Sequence, residues 1–251
     1  MAFFDVNKKV NSAKSVDPTI DAVYSFSLSS ETEKAETELE QISALFYSGA
    51  NYCINDLNFL SKSMLLTLAN ARPLYCALVA EKSNHLAGDN KTMDGLSEFG
   101  KLAVKILCAN KIGIDLKDLS ERAFLEIMQI ATTRTFVTKA KLSGLGRLDC
   151  LRPYQEQILV DSDANIVLDT TCDGFTPEEL AESVAKFVKK FGSKNLMLAT
   201  YDMHGKKAAK RLQKIESELK LVGLNYDQIA DIFYGNAYRR LPKPIMQVVN
   251  D

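Results

Sequence analysis

Histidine is nearly absent from this chain: two residues, His85 and His204, in 251. A histidine-rich metal centre cannot be assembled from so few. The cysteines Cys53, Cys76, Cys108, Cys150 and Cys172 are odd in number, widely scattered and without a CxxC spacing. They read as free thiols in a reducing compartment rather than as a disulfide framework or a zinc cluster. No apolar run approaches the ~18 residues of a membrane span, and the opening MAFFDVNKKV has too short an apolar core for a secretion signal. An excess of charge is lacking too. With 31 basic against 32 acidic side chains, nothing global draws the chain to nucleic acid or to an anionic membrane. Glycine and proline gather into no linker, and no segment is of low complexity. A cytoplasmic protein is expected.

What is present is apolar residue, 46% of the chain, enough for a substantial core. Short apolar runs with β-branched or aromatic residues predict strands at Ala2–Val6, Asn51–Ile54, Leu74–Val79, Ala103–Leu107, Thr135–Lys139, Asn165–Thr170 and Asn195–Thr200. Helical spacing separates most of them, over Ser30–Tyr47, Leu57–Ala71, Leu119–Ile130, Pro177–Phe191, Lys206–Val222 and Tyr226–Arg240. The sharpest is Pro177–Phe191, with Thr176 as N-cap, Glu179 completing a capping box and Gly192 as stop. Gln157–Val160 fits either a strand or the end of a helix from Pro153. Strands recurring roughly every 25 to 35 residues between helices imply a parallel sheet, and the length suits one α/β domain, a (β/α)8 TIM-like barrel. The segment between Lys139 and Asn165 is short for a full unit, which makes a trimmed or distorted barrel the expectation. The barrel is placed at residues 1–241 and a C-terminal tail at 242–251.

In such a barrel chemistry gathers where strands end and their loops begin. The residues there are Asn7 and Lys9; Asn55 and Asp56; Glu81 and Lys82; Cys108 and Asn110; Lys139 and Lys141; Asp169, Thr171, Cys172 and Asp173; and Asp202 with His204. In sequence the strand NIVLDTT, the strand NLMLATYDMHG with its aspartate, and GLNYDQIADIFYGNAYRRL resemble the C-terminal third of the amidohydrolase-like, metal-dependent hydrolases. The opening FFDVNKKV is similar to that family's first strand, which ends Asp-x-His-x-His. The resemblance implies that Asp202 takes the place of the aspartate that follows the eighth strand and serves as metal ligand or proton acceptor. Gly235, Asn236, Ala237, Arg239 and Leu241 sit in the family's closing GNAxRL-like phrase.

The family's histidines are mostly replaced. Asn7 and Lys9 stand for the opening pair, Cys108 for the residue after the fourth strand, and Lys139 or Lys141 for a later one. A protonated lysine has no lone pair to give a metal and repels it. The cofactor is therefore unknown: a divalent metal held through carboxylates stays open, but the histidine ligand set is missing.

The expected activity is that of an amidohydrolase-related enzyme acting on a small anionic molecule by hydrolysis or decarboxylation. Asp202 would be the general acid or base, and Lys139 a metal bridge, a Schiff-base amine or, with Lys9, an anion clamp. Asn7, Cys108, Asp169 and His204 would line the substrate, although Cys108 equally suits a buried structural thiol and His85 a loop residue. The rival is a barrel that has lost catalysis and serves as a binding or scaffold protein. A third reading, a helical interaction module, requires the strands to be absent. The helix-turn-helix echo in the last 30 or so residues is too short to cross a major groove, so Lys206, Lys207, Lys210, Arg211 and Lys214 read as a solvated helix face. The expected partner is a small molecule, without nucleic acid or membrane, and a homo-oligomer stays open.

Overall fold

The computed structural model describes residues 4–8, 22–47, 51–171, 174–201, 203 and 205–240. Eight strands follow one another in the sheet in chain order, from β1 to β8. They are β1 (Phe4–Lys8), β2 (Ala22–Phe26), β3 (Asn51–Ile54), β4 (Tyr75–Ala77), β5 (Gly113–Asp115), β6 (Thr135–Ala140), β7 (Asn165–Asp169) and β8 (Leu196–Ala199). The helices are α1 (Thr32–Tyr47), α2 (Leu65–Ala71), α3 (Glu98–Ala109), α4 (Glu121–Ile130), α5 (Pro153–Asp161), α6 (Pro177–Phe191), α7 (Gly205–Leu221), α8 (Tyr226–Ala230) and α9 (Asn236–Arg240). From β2 onward each strand is joined to the next through a helix, the βα alternation of a TIM-like barrel. No described helix is long and apolar enough to cross a membrane.

Two compact units divide the chain. One holds the described residues between Val6 and Phe136, the other those from Val137 to Arg240 with Phe4 and Asp5. In the first, β2 to β6 pair in parallel, with Cys53 opposite Tyr75, Cys76 opposite Ile114 and Asp115 opposite Phe136. Their side chains are buried on both faces, as Tyr52, Ile54, Tyr75, Cys76 and Ile114 show. Gly113 occupies β5 because a Cβ there would lie 2.7 Å from the Phe136 ring and 2.9 Å from the Leu74 carbonyl. In the second unit β7 and β8 pair in parallel, from Ile166 opposite Leu196 to Asp169 opposite Ala199. The amphipathic face of α6 covers apolar residues there with Leu180, Val184, Phe187 and Val188.

Three expectations are corrected. The segment Ala103–Leu107 is helix, the body of α3, capped by Ser97 whose Oγ accepts the Gly100 amide at 2.9 Å. Ala103, Val104 and Leu107 are its buried stripe, and Lys101 and Lys105 punctuate the run at helical spacing. The strand expected there is instead β5, three residues long and too short to announce itself, and β2 was not expected at all. The third correction concerns Leu57–Ala71, which is helical only from Leu65. Gln157–Val160 lies in α5, which settles that alternative as helix. Inside α5 the buried Glu156 accepts the Ser143 amide at 2.6 Å and the Ser143 hydroxyl at 2.8 Å, pinning the turn after β6.

Candidate functional site

Asn55 and Asp56 leave the C-terminal end of β3, and Lys117 comes two residues after β5. Between β4 and α3 a long loop supplies Asn84 and His85. That loop is built by side chains satisfying its backbone: Asn84 Oδ1 accepts the Leu86 amide at 2.8 Å, and its Nδ2 donates to the Leu78 carbonyl at 2.8 Å. Asp89 accepts the amides of Ser83 and Lys91 at 2.8 and 2.9 Å. His85 is fixed twice, by Nε2 against the Leu60 carbonyl at 2.7 Å and by stacking on Phe99 at 5.7 Å. Since a carbonyl only accepts, Nε2 carries the proton.

Asp56 sits among these groups. Its Oδ1 accepts the Asn58 amide at 2.9 Å and lies 3.4 Å from the Asn84 Nδ2. Among the described residues both contacts fall on that one oxygen. Burial pushes the carboxyl up to about 6, against the lowering pull of the Asn58 amide, of Lys117, of Asn84 and of His85. Desolvation outweighs these pulls, and Lys117 Nζ donates to Asn55 Oδ1 at 3.3 Å. Asp115, fully buried at the end of β5, accepts the Lys117 amide at 3.2 Å and sets the backbone from which that lysine projects. The arrangement offers a proton acceptor near neutrality and a positioned ammonium, both from strand ends.

Within the other unit, Lys139 lies in β6 with φ of 52°, and its Nζ stands 5.4 Å from the centre of the Tyr201 ring. The Lys139 amide donates to the Tyr201 hydroxyl, and Tyr201 also has positive φ, 38°. Two non-glycine residues in left-handed conformations therefore meet at the ends of β6 and β8, a costly backbone choice. Asp169 ends β7, its Oδ1 accepting both the amide and hydroxyl of Thr171 at 2.7 Å. Asp202, His204 and Lys9 lie outside the described residues, as does the side chain of Asn7. Cys108 is corrected in place: it belongs to the last turn of α3, ahead of β5, where its sulfur accepts the Thr132 amide at 3.4 Å. That is the opposite end of the strand from the loops, because the run before it is helix.

The closing phrase has a structural task. Asn236 is buried and donates from Nδ2 to the carbonyls of Ser193 and Leu196, both at 2.7 Å, clasping the start of β8. Arg239 braces it, reaching Asn236 Oδ1 at 2.7 Å and Asp231 in the preceding π-helical turn. Asn236→Ala should cost ~2–4 kcal/mol in chemical denaturation, because two buried carbonyls lose their donor. A loss within experimental error of zero would remove this role.

Among the described residues no three His, Cys, Asp or Glu side chains lie together as a metal would need. The described strand ends bring lysines, Lys117 and Lys139, to the places where donors are wanted, so they do not fit a histidine-ligated ion.

No protein-family model and no curated protein matches the sequence. Solved structures do match in fold. A dipeptidase, a metallopeptidase of family M19, superposes with a TM-score of 0.76 at 12% identity, covering 97% of this chain and 98% of its own. An amidohydrolase from Pseudomonas aeruginosa gives 0.72 at 11% identity over 95% of each chain. The probable dipeptidase PvdM, also from Pseudomonas aeruginosa, gives 0.72 at 13% over 96% of this chain and 94% of its own. This chain shares with them the fold alone, a TIM-like (β/α) barrel.

Proposed function

We propose that this protein is an amidohydrolase-related enzyme that acts on a small anionic molecule by hydrolysis or decarboxylation, without a histidine-ligated metal. The observation that carries this reading is Asp56, a carboxyl at a strand end whose proton equilibrium is moved to about 6 by burial, in a cluster with Asn84, Asn55 and Lys117. In hydrolysis the Asp56 carboxylate takes a proton from the attacking water and returns it to the leaving group. Lys117 balances the anionic charge that develops. Asp202 is the second acid or base candidate, with Lys139, Lys9, Asn7, Asp169 and His204 as substrate contacts and Cys108 removed from that set by its place in α3.

The test is a pH profile of kcat/KM for whichever substrate emerges from a panel of N-acyl amino acids, dipeptides and small carboxylic acids. A base must be ionised to act, so activity should fall tenfold per pH unit below about 6. Asp56→Asn should remove that limb, and Asp202→Asn tests the other candidate separately. A limb that survives in Asp56→Asn and vanishes in Asp202→Asn transfers the role to Asp202. Saturable ligand binding with no turnover by the wild type supports the rival reading, a binding barrel.

A further inference from the structure

The basic residues of α7 do more than meet solvent. Lys207, Lys210 and Arg211 stand at i, i+3 and i+4, so they share one helix face. With Thr171, Phe175 and Thr176, from the segment joining β7 to α6, they line a cleft of about 1090 Å³. That volume suits an organic molecule rather than a lone ion.

The charges in the cleft are unequally engaged. Lys214 is paired with Glu178 at 2.7 Å, and that hydrogen bond holds the Glu178 carboxyl down at about 2. The pair offers no net charge. Glu179 closes the cap of α6 by accepting the Thr176 amide at 2.8 Å, and it faces Arg147 at 3.9 Å. Among the described residues no carboxylate reaches Lys207, Lys210 or Arg211 within ion-pair distance.

Arg211 is not a loose surface cation. Its Nε donates to the Thr170 carbonyl at 2.8 Å and its Nη2 to the Phe175 carbonyl at 3.2 Å. Two of its five donors are thus used to fix the fork, and the others remain for a ligand. A preoriented guanidinium loses less freedom on binding than a mobile one, which is where affinity for an anion is usually lost.

We infer that this cleft binds a small organic phosphate or diphosphate, its charged end received by Lys207, Lys210 and Arg211. Three cations lining one cleft favour a dianion or trianion over a single carboxylate, and the remaining volume, bordered by Phe175 and Met203, takes the organic part. The inference stands on the cleft alone and does not require Asp56 to be catalytic.

Inorganic pyrophosphate is the probe, titrated calorimetrically into the full chain at about 150 mM salt, where diffuse attraction is screened. Saturable one-to-one binding is expected, weakened at least about tenfold in the double variant K207Q/K210Q. The control K189Q/K190Q, at the exposed end of α6, should bind as the wild type does. The single variants K207Q and K210Q, each weaker by about threefold or more, serve if the double variant does not fold. Asp56→Asn should leave pyrophosphate binding unchanged, which separates this site from the proposed catalysis. Absence of saturation, equal weakening by both double variants, or binding of a single-stranded oligonucleotide without binding of pyrophosphate would overturn the inference.

Discussion

Asp56→Asn is expected to lower kcat/KM by ~10²- to 10⁴-fold, the usual worth of a positioned acid or base, and at the same time to raise the melting temperature. The two effects have one cause. The carboxyl of Asp56 is lifted from its ordinary value of 3.8 to about 6 mainly by burial, so the folded state binds its proton more tightly than the unfolded chain does. Stability from this group is therefore complete below pH ~4 and declines as pH rises through the window up to ~6, the reverse of a salt-bridged carboxylate. Fully buried, the penalty at pH 7 would approach ~3 kcal/mol, but Asp56 keeps partial contact with water and ~1 kcal/mol is the better figure. Asparagine keeps the shape, can still accept from the Asn58 amide, and carries no charge to desolvate. A purely structural aspartate would behave oppositely, losing stability on substitution without a change in the pH profile of turnover. Melting at pH 4 and pH 7 alongside the rate measurement distinguishes the two, and equal melting temperatures for variant and wild type at pH 7, with activity intact, would sink the assignment.

Gly100→Ala is expected to destabilise by ~2–4 kcal/mol, lowering the midpoint by ~5–15 °C for a chain of this size. Inside most helices the exchange would instead gain ~0.5–1 kcal/mol, because alanine costs less backbone entropy. Here the sign turns on one distance: a Cβ at Gly100 would lie 2.0 Å from the Leu86 carbonyl oxygen. That carbonyl cannot retreat easily. It accepts the Ser97 amide at 2.8 Å, and the Ser97 hydroxyl is tied to the His85 carbonyl at 2.7 Å. Displacing α3 would pull on the loop that carries Asn84, so the variant should also move the acid limb attributed to Asp56. A variant as stable as the wild type would show that helix and loop are looser than these bonds imply.

Local signals carried the sequence a long way where chemistry and geometry coincide within a few residues. The box Thr176, Pro177, Glu179 and the stop at Gly192 delimit α6 as observed, and the run Asn51–Ile54 is a strand as expected. Ala103–Leu107 misled because its apolar and β-branched residues satisfy a buried strand as well as a helix over so short a window, and only the Ser97 cap breaks the tie. The site was harder still. Asp56 is visible as a strand-end residue, but burial raises its proton affinity, and the groups around it come from afar, Asn84 from 28 residues away, while Lys117 reaches Asn55 across 62. No spacing in the sequence encodes such a meeting. The lysines of α7 were legible as a stripe, whereas the cleft beside them depends on a turn 30 to 40 residues earlier.

The Asn236 clasp holds the entry to β8. Its partners are carbonyls at the start of β8, before the strand runs toward the loops. That contact serves folding and is indifferent to what the loops at the far end do. It can persist whatever the loops bind. The phrase GNAYRR therefore speaks to how this chain folds and not to the reaction at its loops.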